Sequence, residues 1–292
     1  MRGWWREVAG LVLPVSCGGC GRPRTALCPS CEAELTGTGP CRVRPSPEPR
    51  GLPEVYAAAA YEGGARALLL AHKERGALPL AGPLGVALAG AVTAAAGALG
   101  AGGGGSLLLV PVPSSRRSVR ARGHDPTRRI ALAAAGRLRR TGRAARVLPV
   151  LRQRRAVADQ SGLGARGRLA NLAGALAVAP GGGRLLGEAV RAGGRVVLVD
   201  DLMTTGASLA EAARAVTAAL TAEAAKEAAT EGSGVGAVHP SFMFPGLADA
   251  PKGGVTEGLF EQPTAAVIAS SPSSFEINRN SPRSCIVAGG ER

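Results

Sequence analysis

VVLVDDLMTTGAS, residues 196–208 of this 292-residue chain, runs from four consecutive aliphatic residues into two acids and then into a hydroxyl-rich turn. An apolar run without alternation reads as a strand buried on both faces, the pattern of a parallel sheet covered by helices. The residues that follow, ASLAEAARAVTAAL at 207–220, read as a helix, with Glu211 early, near the positive end of its dipole. Strand, polar turn and helix together make the repeating unit of an α/β fold. In an open parallel sheet, ligands bind beyond the carboxyl ends of the strands, where Asp200 and Asp201 fall. A phosphate at the turn Thr204, Thr205, Gly206, Ala207, Ser208 would meet unpaired backbone N–H groups and the helix dipole. Hydroxyls of Thr204, Thr205 and Ser208 add donors, Gly206 lets the backbone approach closely, and the two carboxylates can accept hydrogen bonds from adjacent sugar hydroxyls. A capped helix alone accounts for one capping residue. It does not account for two adjacent acids, which repel each other unless hydroxyl, metal or cationic partners are supplied.

Further elements fit the same class. Strands are predicted near 55–61, at 107–112 (LLLVPV), near 147–153 (VLPVLRQ) and at 264–270 (TAAVIAS), and helices at about 63–74, 80–98 and 130–140. The segment from Ala77 to Ser115 carries no charge, but Pro79, Pro83 and the glycines between Gly100 and Gly105 interrupt it. It reads as a buried helix, a glycine linker and a buried strand, and no membrane span is expected. A Pro-rich link at 42–54 separates the N-terminal residues 10–45 from the α/β domain, taken as 55–221 plus 263–280. Residues 222–262 hold Gly, Pro, Ser and six acids against two lysines without a steady period, and read as an irregular, mobile insertion.

Hydrophobic residues make up 46% and aromatics only 3%, so a sizeable core is possible but must be built from Ala, Val and Leu. The net charge of +14 is local: between Arg116 and Arg168 stand sixteen arginines against Asp125 and Asp159, and the rest of the chain is close to neutral. Guanidinium groups pair with phosphate oxygens as bidentate forks, so the partner is a phosphorylated metabolite or a nucleic-acid backbone, or else the segment is a solvated basic face. No secretory signal is convincing, and a cytoplasmic location is expected.

Near the N-terminus Cys17, Cys20, Cys28 and Cys31 form two C-x2-C pairs. Each pair can make a tight knuckle, and two knuckles make a tetrahedral four-cysteine site for structural Zn2+. Disulfides and a redox pair are the competing readings. Cys41 and Cys285 are left unassigned.

VVLVDDLMTTGAS resembles the phosphoribosyl pyrophosphate (PRPP) motif of type I phosphoribosyltransferases. More narrowly, the chain resembles the ComF family, which joins a zinc ribbon to such a domain. The resemblance is carried by the paired cysteines, HKERG at 72–76, PVPSSRRSVRARGHD at 111–125, QSGLGARGRLANLAGAL at 160–176 and FEINRN at 275–280. It implies an α/β parallel-sheet type I phosphoribosyltransferase fold with a small hood, and Mg2+ held mainly by substrate oxygens. It further implies that Asp200 and Asp201 hold the ribose hydroxyls and Thr204 to Ser208 the 5′-phosphate. Val112, Pro113 and Ser114 would shape a pyrophosphate loop, with Arg120, Arg122 and Lys73 as candidates to neutralise pyrophosphate. His124 reads as an exposed loop residue, and Asp159 and Gln160 receive no role. Two functions remain open: transfer of a phosphoribosyl group to an unidentified acceptor, or a PRPP-sensing or single-stranded-DNA-handling module without turnover. The resemblance links the latter to DNA uptake.

Overall fold

The structure is a computed structural model and describes residues 15–37, 39–98, 105–155, 165–232 and 262–276. Its frame is a six-stranded sheet of β1 (Cys41–Val43), β2 (Val55–Ala60), β3 (Leu107–Pro111), β4 (Ala145–Val147), β7 (Arg195–Met203) and β8 (Thr264–Ser270), in the order β1-β2-β8-β7-β3-β4. Every pairing is parallel except β1 with β2. Every residue of β3 and β8 is buried, as the unbroken apolar runs require of strands covered on both faces. A second sheet pairs β5 (Leu151–Gln153) and β6 (Leu176–Val178) antiparallel.

One face of the large sheet is covered by α1 (Pro29–Thr36), α2 (Gly63–Glu74), α3 (Ala81–Ala98) and α5 (Pro126–Arg140), whose Leu68, Leu88, Ile130 and Leu138 share a core with Val197, Val199 and Ile268. The opposite face is covered by α7 (Gly182–Arg191) and α8 (Ala207–Gly232), whose Leu186, Leu209 and Val216 pack with Leu108, Leu198 and Val267. The stretch Leu78–Ala98 has the length and hydropathy of a membrane helix, yet α3 packs against β2, β8 and α5, and its buried residues are core residues of the first face.

Four differences from the sequence expectations have local causes. The strand expected over 147–153 is two strands, because Pro149 cannot donate to a ladder and the chain leaves the large sheet there to join the small one. A short helix, α4 (Arg116–Arg122), follows β3; Ser115 caps it by accepting from the Ser118 N–H at 3.0 Å, and Gly123 ends it at φ +74°. The helix expected to stop at 220 runs to Gly232, so residues 222–232 of the segment read as irregular are helical. Its Ala, Glu and Lys are strong helix formers, and Glu223–Lys226 and Glu227–Arg191 pairs line it. Residues 233–261 lie outside the described residues, as do Asp159, Gln160 and Cys285. Finally, the Pro-rich stretch at 42–54 is folded onto the domain. Arg42 pairs with Glu54 at 2.7 Å, and Pro45 and Pro49 are buried.

The core built from small side chains lets helices approach closely. At Gly85 of α3, a Cβ would stand 2.5 Å from the Cβ of Ala133 and 2.9 Å from the Ala134 nitrogen of α5. Gly85→Ala gains about 1 kcal/mol of helix propensity but forces the helices apart, at a cost of about 1–3 kcal/mol. A net loss of stability is expected in urea unfolding; a gain would show that the two helices slide apart freely.

Candidate functional site

The carboxyl ends of β3 and β7 meet at one edge of the sheet, where the Val112 N–H donates to the Val199 carbonyl at 2.9 Å. From there β7 carries Asp200 and Asp201, and the chain turns through Thr204 and Thr205 into α8. Gly206 caps the helix, its carbonyl accepting from Ala210 N–H at 2.9 Å. Its φ is +74°, which strains any side chain there, and a Cβ would also crowd Leu52 at 3.0 Å. The first N–H groups of α8 have no partner inside the helix and open toward the turn.

The two acids are arranged unequally. Asp201 is 5% exposed, and its Oδ2 lies 2.8 Å from Lys73 Nζ, while its N–H donates to Asp200 Oδ1 at 2.8 Å. Burial, and then the adjacent Asp201 carboxylate, push the Asp200 carboxyl well above the ordinary range. Burial lowers the Lys73 pKa, but the Asp201 and Asp200 carboxylates outweigh it and raise the ammonium pKa. Lys73, expected to reach a pyrophosphate, thus stands on the acid expected to hold ribose.

The remaining candidates divide. Arg122 on α4 grips Glu74 through both carboxylate oxygens, at 2.7 and 2.9 Å, which ties α4 to the end of α2 beside Lys73. Ser114 donates to Asp125 at 3.3 Å, and Asp125 caps α5 through the Arg128 N–H. Val112 is buried and Pro113 half-buried, so this loop meets the site through its backbone. Arg120 is exposed and makes no ion pair among the described residues. His124 is half-buried rather than exposed: its ring stands edge-on to His72 with centroids 5.9 Å apart. Burial, and then His124 and Arg129, offset the Ala77 carbonyl and lower the pKa of His72, which is 1% exposed.

Two features had no role from sequence. Arg168 on α6 (Ala165–Leu172) brings Nη1 to 3.4 Å from Thr204 Oγ1. Glu211, read only as a dipole partner, is 6% exposed and accepts from Arg214 Nε and Nη2, both at 2.7 Å, and from Leu176 N–H at 3.0 Å. Arg214 returns a bond to the Leu176 carbonyl at 3.1 Å. Burial raises the Glu211 pKa, but Arg214 and the Leu176 amide outweigh it, so the carboxylate stays charged. This clamp holds the small sheet on α8. The i, i+3 spacing of Glu211 and Arg214 was visible in sequence; the peptide they grip was not. A cavity of about 510 Å³ runs along α8 between α6 and Arg50–Gly51, and it touches the turn only at Ala207.

At the N-terminus the Sγ atoms of Cys17, Cys20, Cys28 and Cys31 all lie within 4.8 Å of one another and could hold a metal such as zinc. None of the four is in a disulfide. Burial raises the Cys17 thiol, but N–H groups of Cys20, Cys28 and Gly19 outweigh it and lower it to about 6. The Cys31 thiol is pushed up, by burial and then by its three neighbours. Four sulfurs so close cannot all be thiolates without a cation among them.

A carboxyl whose folded-state pKa exceeds its unfolded value, about 3.9 for Asp, is stabilising below that value. The contribution is lost as pH rises through the folded pKa. Asp200→Asn, which keeps an acceptor for the Asp201 N–H, is therefore expected to raise the melting temperature at pH 8. Each 1 kcal/mol is worth roughly 2–4 °C for a chain of this size. The difference should shrink as pH falls toward about 4; a constant or inverted difference would remove the charge explanation.

No protein-family model matches this chain, and no curated protein matches it at a significant level. The functional reading therefore rests on the residues and on their geometry.

Proposed function

We propose that the β7–α8 turn binds PRPP and that the protein transfers its phosphoribosyl group to an acceptor, releasing pyrophosphate. One observation carries the reading: Asp200 and Asp201, near the carboxyl end of a buried parallel strand, are followed after Leu202 and Met203 by a Thr-Thr-Gly-Ala-Ser turn at the N-terminus of α8. The likeness to the ComF family supports it.

In this reading the 5′-phosphate sits on the turn, accepting from backbone N–H groups and from the hydroxyls of Thr204, Thr205 and Ser208. The two acids accept from the ribose hydroxyls. Lys73 moves from Asp201 to the pyrophosphate once hydroxyl donors replace it on the carboxylate, with Arg122 close by on the Glu74 pair. Breaking the bond to pyrophosphate at the anomeric carbon leaves positive charge on the sugar, and the two carboxylates lie on its hydroxyl side. Catalysis is then positioning together with charge stabilisation. The donor set fits Mg2+: with no all-protein carboxylate cage among the described residues, the ion would be held chiefly by substrate oxygens and would neutralise the leaving group. The raised pKa of Asp200 is the sign of a carboxyl that gains from such a partner.

A second reading, a nucleic-acid-handling module, is favoured by a set of exposed arginines. Arg116, Arg117, Arg120, Arg128, Arg140, Arg143 and Arg146 are exposed and form no ion pair among the described residues. Against it, no aromatic residue lies between Arg116 and Arg168 to stack on bases.

Calorimetric titration of PRPP with Mg2+ into wild type and the Asp200→Asn/Asp201→Asn variant tests the site. Micromolar binding by wild type, lost in the variant, is expected, followed by pyrophosphate release that depends on an acceptor. Absence of binding to folded wild type would sink the enzyme reading in favour of the nucleic-acid one.

For the four cysteines we propose one structural Zn2+ per chain. Cys17, Cys28 and Cys31 share a core with Leu68 and Leu69 of α2, and Glu34 of α1 accepts from the Gly64 N–H at 2.5 Å. The metal thus braces the helix that carries Lys73. Zinc removal by a strong chelator is expected to lower the melting temperature and weaken PRPP binding together, with about one zinc released per chain. Purified protein with intact PRPP binding but no zinc would contradict the assignment.

A further inference from the structure

We propose that Arg168 is a second ligand of the 5′-phosphate, gripping it from the side opposite α8; the proposal rests on the PRPP reading of the turn. Arg168 lies on α6, the helix just before the small sheet, and is half-buried. Its guanidinium carries five donors. One of them, on Nη1, makes a long 3.4 Å bond to Thr204 Oγ1, inside the turn. Another, on Nε, is shut off from solvent and has no partner among the described residues. No carboxylate pairs with Arg168 among the described residues. Its neighbours in the same layer are satisfied: Arg155 donates to the carbonyls of Asn171 and Ala173 at 2.8 and 3.0 Å, and Arg214 is held by Glu211 and Leu176.

A buried donor without an acceptor is costly, and the Nη1 end of the same guanidinium already reaches the turn. A phosphate monoester there has oxygens enough to answer both the open N–H groups of α8 and the planar fork of a guanidinium. The two sets of donors belong to different elements, α8 and α6, so the phosphate would draw the α6 layer onto the turn. Lys73 and the β3 loop serve the other end of the substrate. Arg168 should therefore discriminate between the two phosphate-bearing ends of PRPP.

The experiment titrates PRPP, ribose 5-phosphate and pyrophosphate, each with Mg2+, into wild type, Arg168→Gln and Arg168→Lys, with thermal melts to establish folding. Arg168→Gln is expected to weaken PRPP and ribose 5-phosphate by about 10–100-fold, the range of a lost charged hydrogen bond, and to leave pyrophosphate within about twofold. Arg168→Lys, which keeps the charge and loses the fork, should fall between. Wild-type binding of PRPP with no change in Arg168→Gln overturns the assignment and leaves the PRPP reading standing. An equal loss for all three ligands also overturns it, because a general effect on the fold would weaken pyrophosphate as well. If wild type binds none of the three, the PRPP reading itself fails and the role of Arg168 falls with it.

Discussion

Two carboxylates on consecutive residues, at the end of a strand that is otherwise core, are the constraint around which the rest of the site is arranged. Their repulsion, with little water to screen it, must be answered locally. The chain answers in two ways. Lys73 stands 2.8 Å from Asp201, and Asp200 is held toward its protonated form by burial and by that neighbour. Neither answer is free of consequences for the fold. The Lys73 ammonium reaches Asp201 only if the last turn of α2 is held in place, and α2 is held from two sides. At its start it packs against the cysteine knuckles; at its end Glu74 is clasped by Arg122. The N-terminal cysteines, far from the acids in sequence, are thereby joined to them through a single helix.

The other half of the site depends on α8. Its first turn presents the open N–H groups, and one turn further Glu211 and Arg214 seize both the N–H and the carbonyl of Leu176. A helix that offered only its N-terminus would leave the small sheet free to drift. This clamp fixes β5, β6 and the neighbouring α6 relative to the β7–α8 turn, and so places Arg168 beside Thr204. Because the carboxylate of Glu211 is buried and paired with a charge, loss of Arg214 alone would leave it uncompensated. The layer is held by that connection together with apolar contacts that include Leu151 and Leu176.

What could be seen in the sequence follows the range of the interactions. The strands at 107–112, 196–201 and 264–270 were legible because burial on both faces writes a continuous apolar run. The acids and the turn were legible because they are contiguous. Strand β4 was merged with β5 because the two are separated only by Leu148, Pro149 and Val150, and no local signal says that they belong to different sheets. The helices α4 and α7 escaped notice for a related reason: one is short and rich in arginine, the other opens on glycines. Pairings between distant residues were invisible: Lys73 with Asp201, Arg122 with Glu74, Glu211 with Leu176 and His72 with His124 join segments whose proximity only the fold decides.

Charge is distributed across the site in a divided field, and the division bears on what can occupy it. The turn is positive, from the α8 N-terminus and Arg168, while the end of β7 is negative, from Asp200 and Asp201, with Lys73 between β7 and the Glu74–Arg122 pair. A bare phosphate answers the first half and is repelled by the second. A diol answers the second and leaves the first empty. The diester backbone of DNA offers phosphate without a pair of free neighbouring hydroxyls, so it satisfies exposed arginines elsewhere on the surface better than it satisfies this turn. In the proposed reading a sugar phosphate with adjacent hydroxyls satisfies both halves at once, and its hydroxyls turn the two acids from an obstacle into an asset.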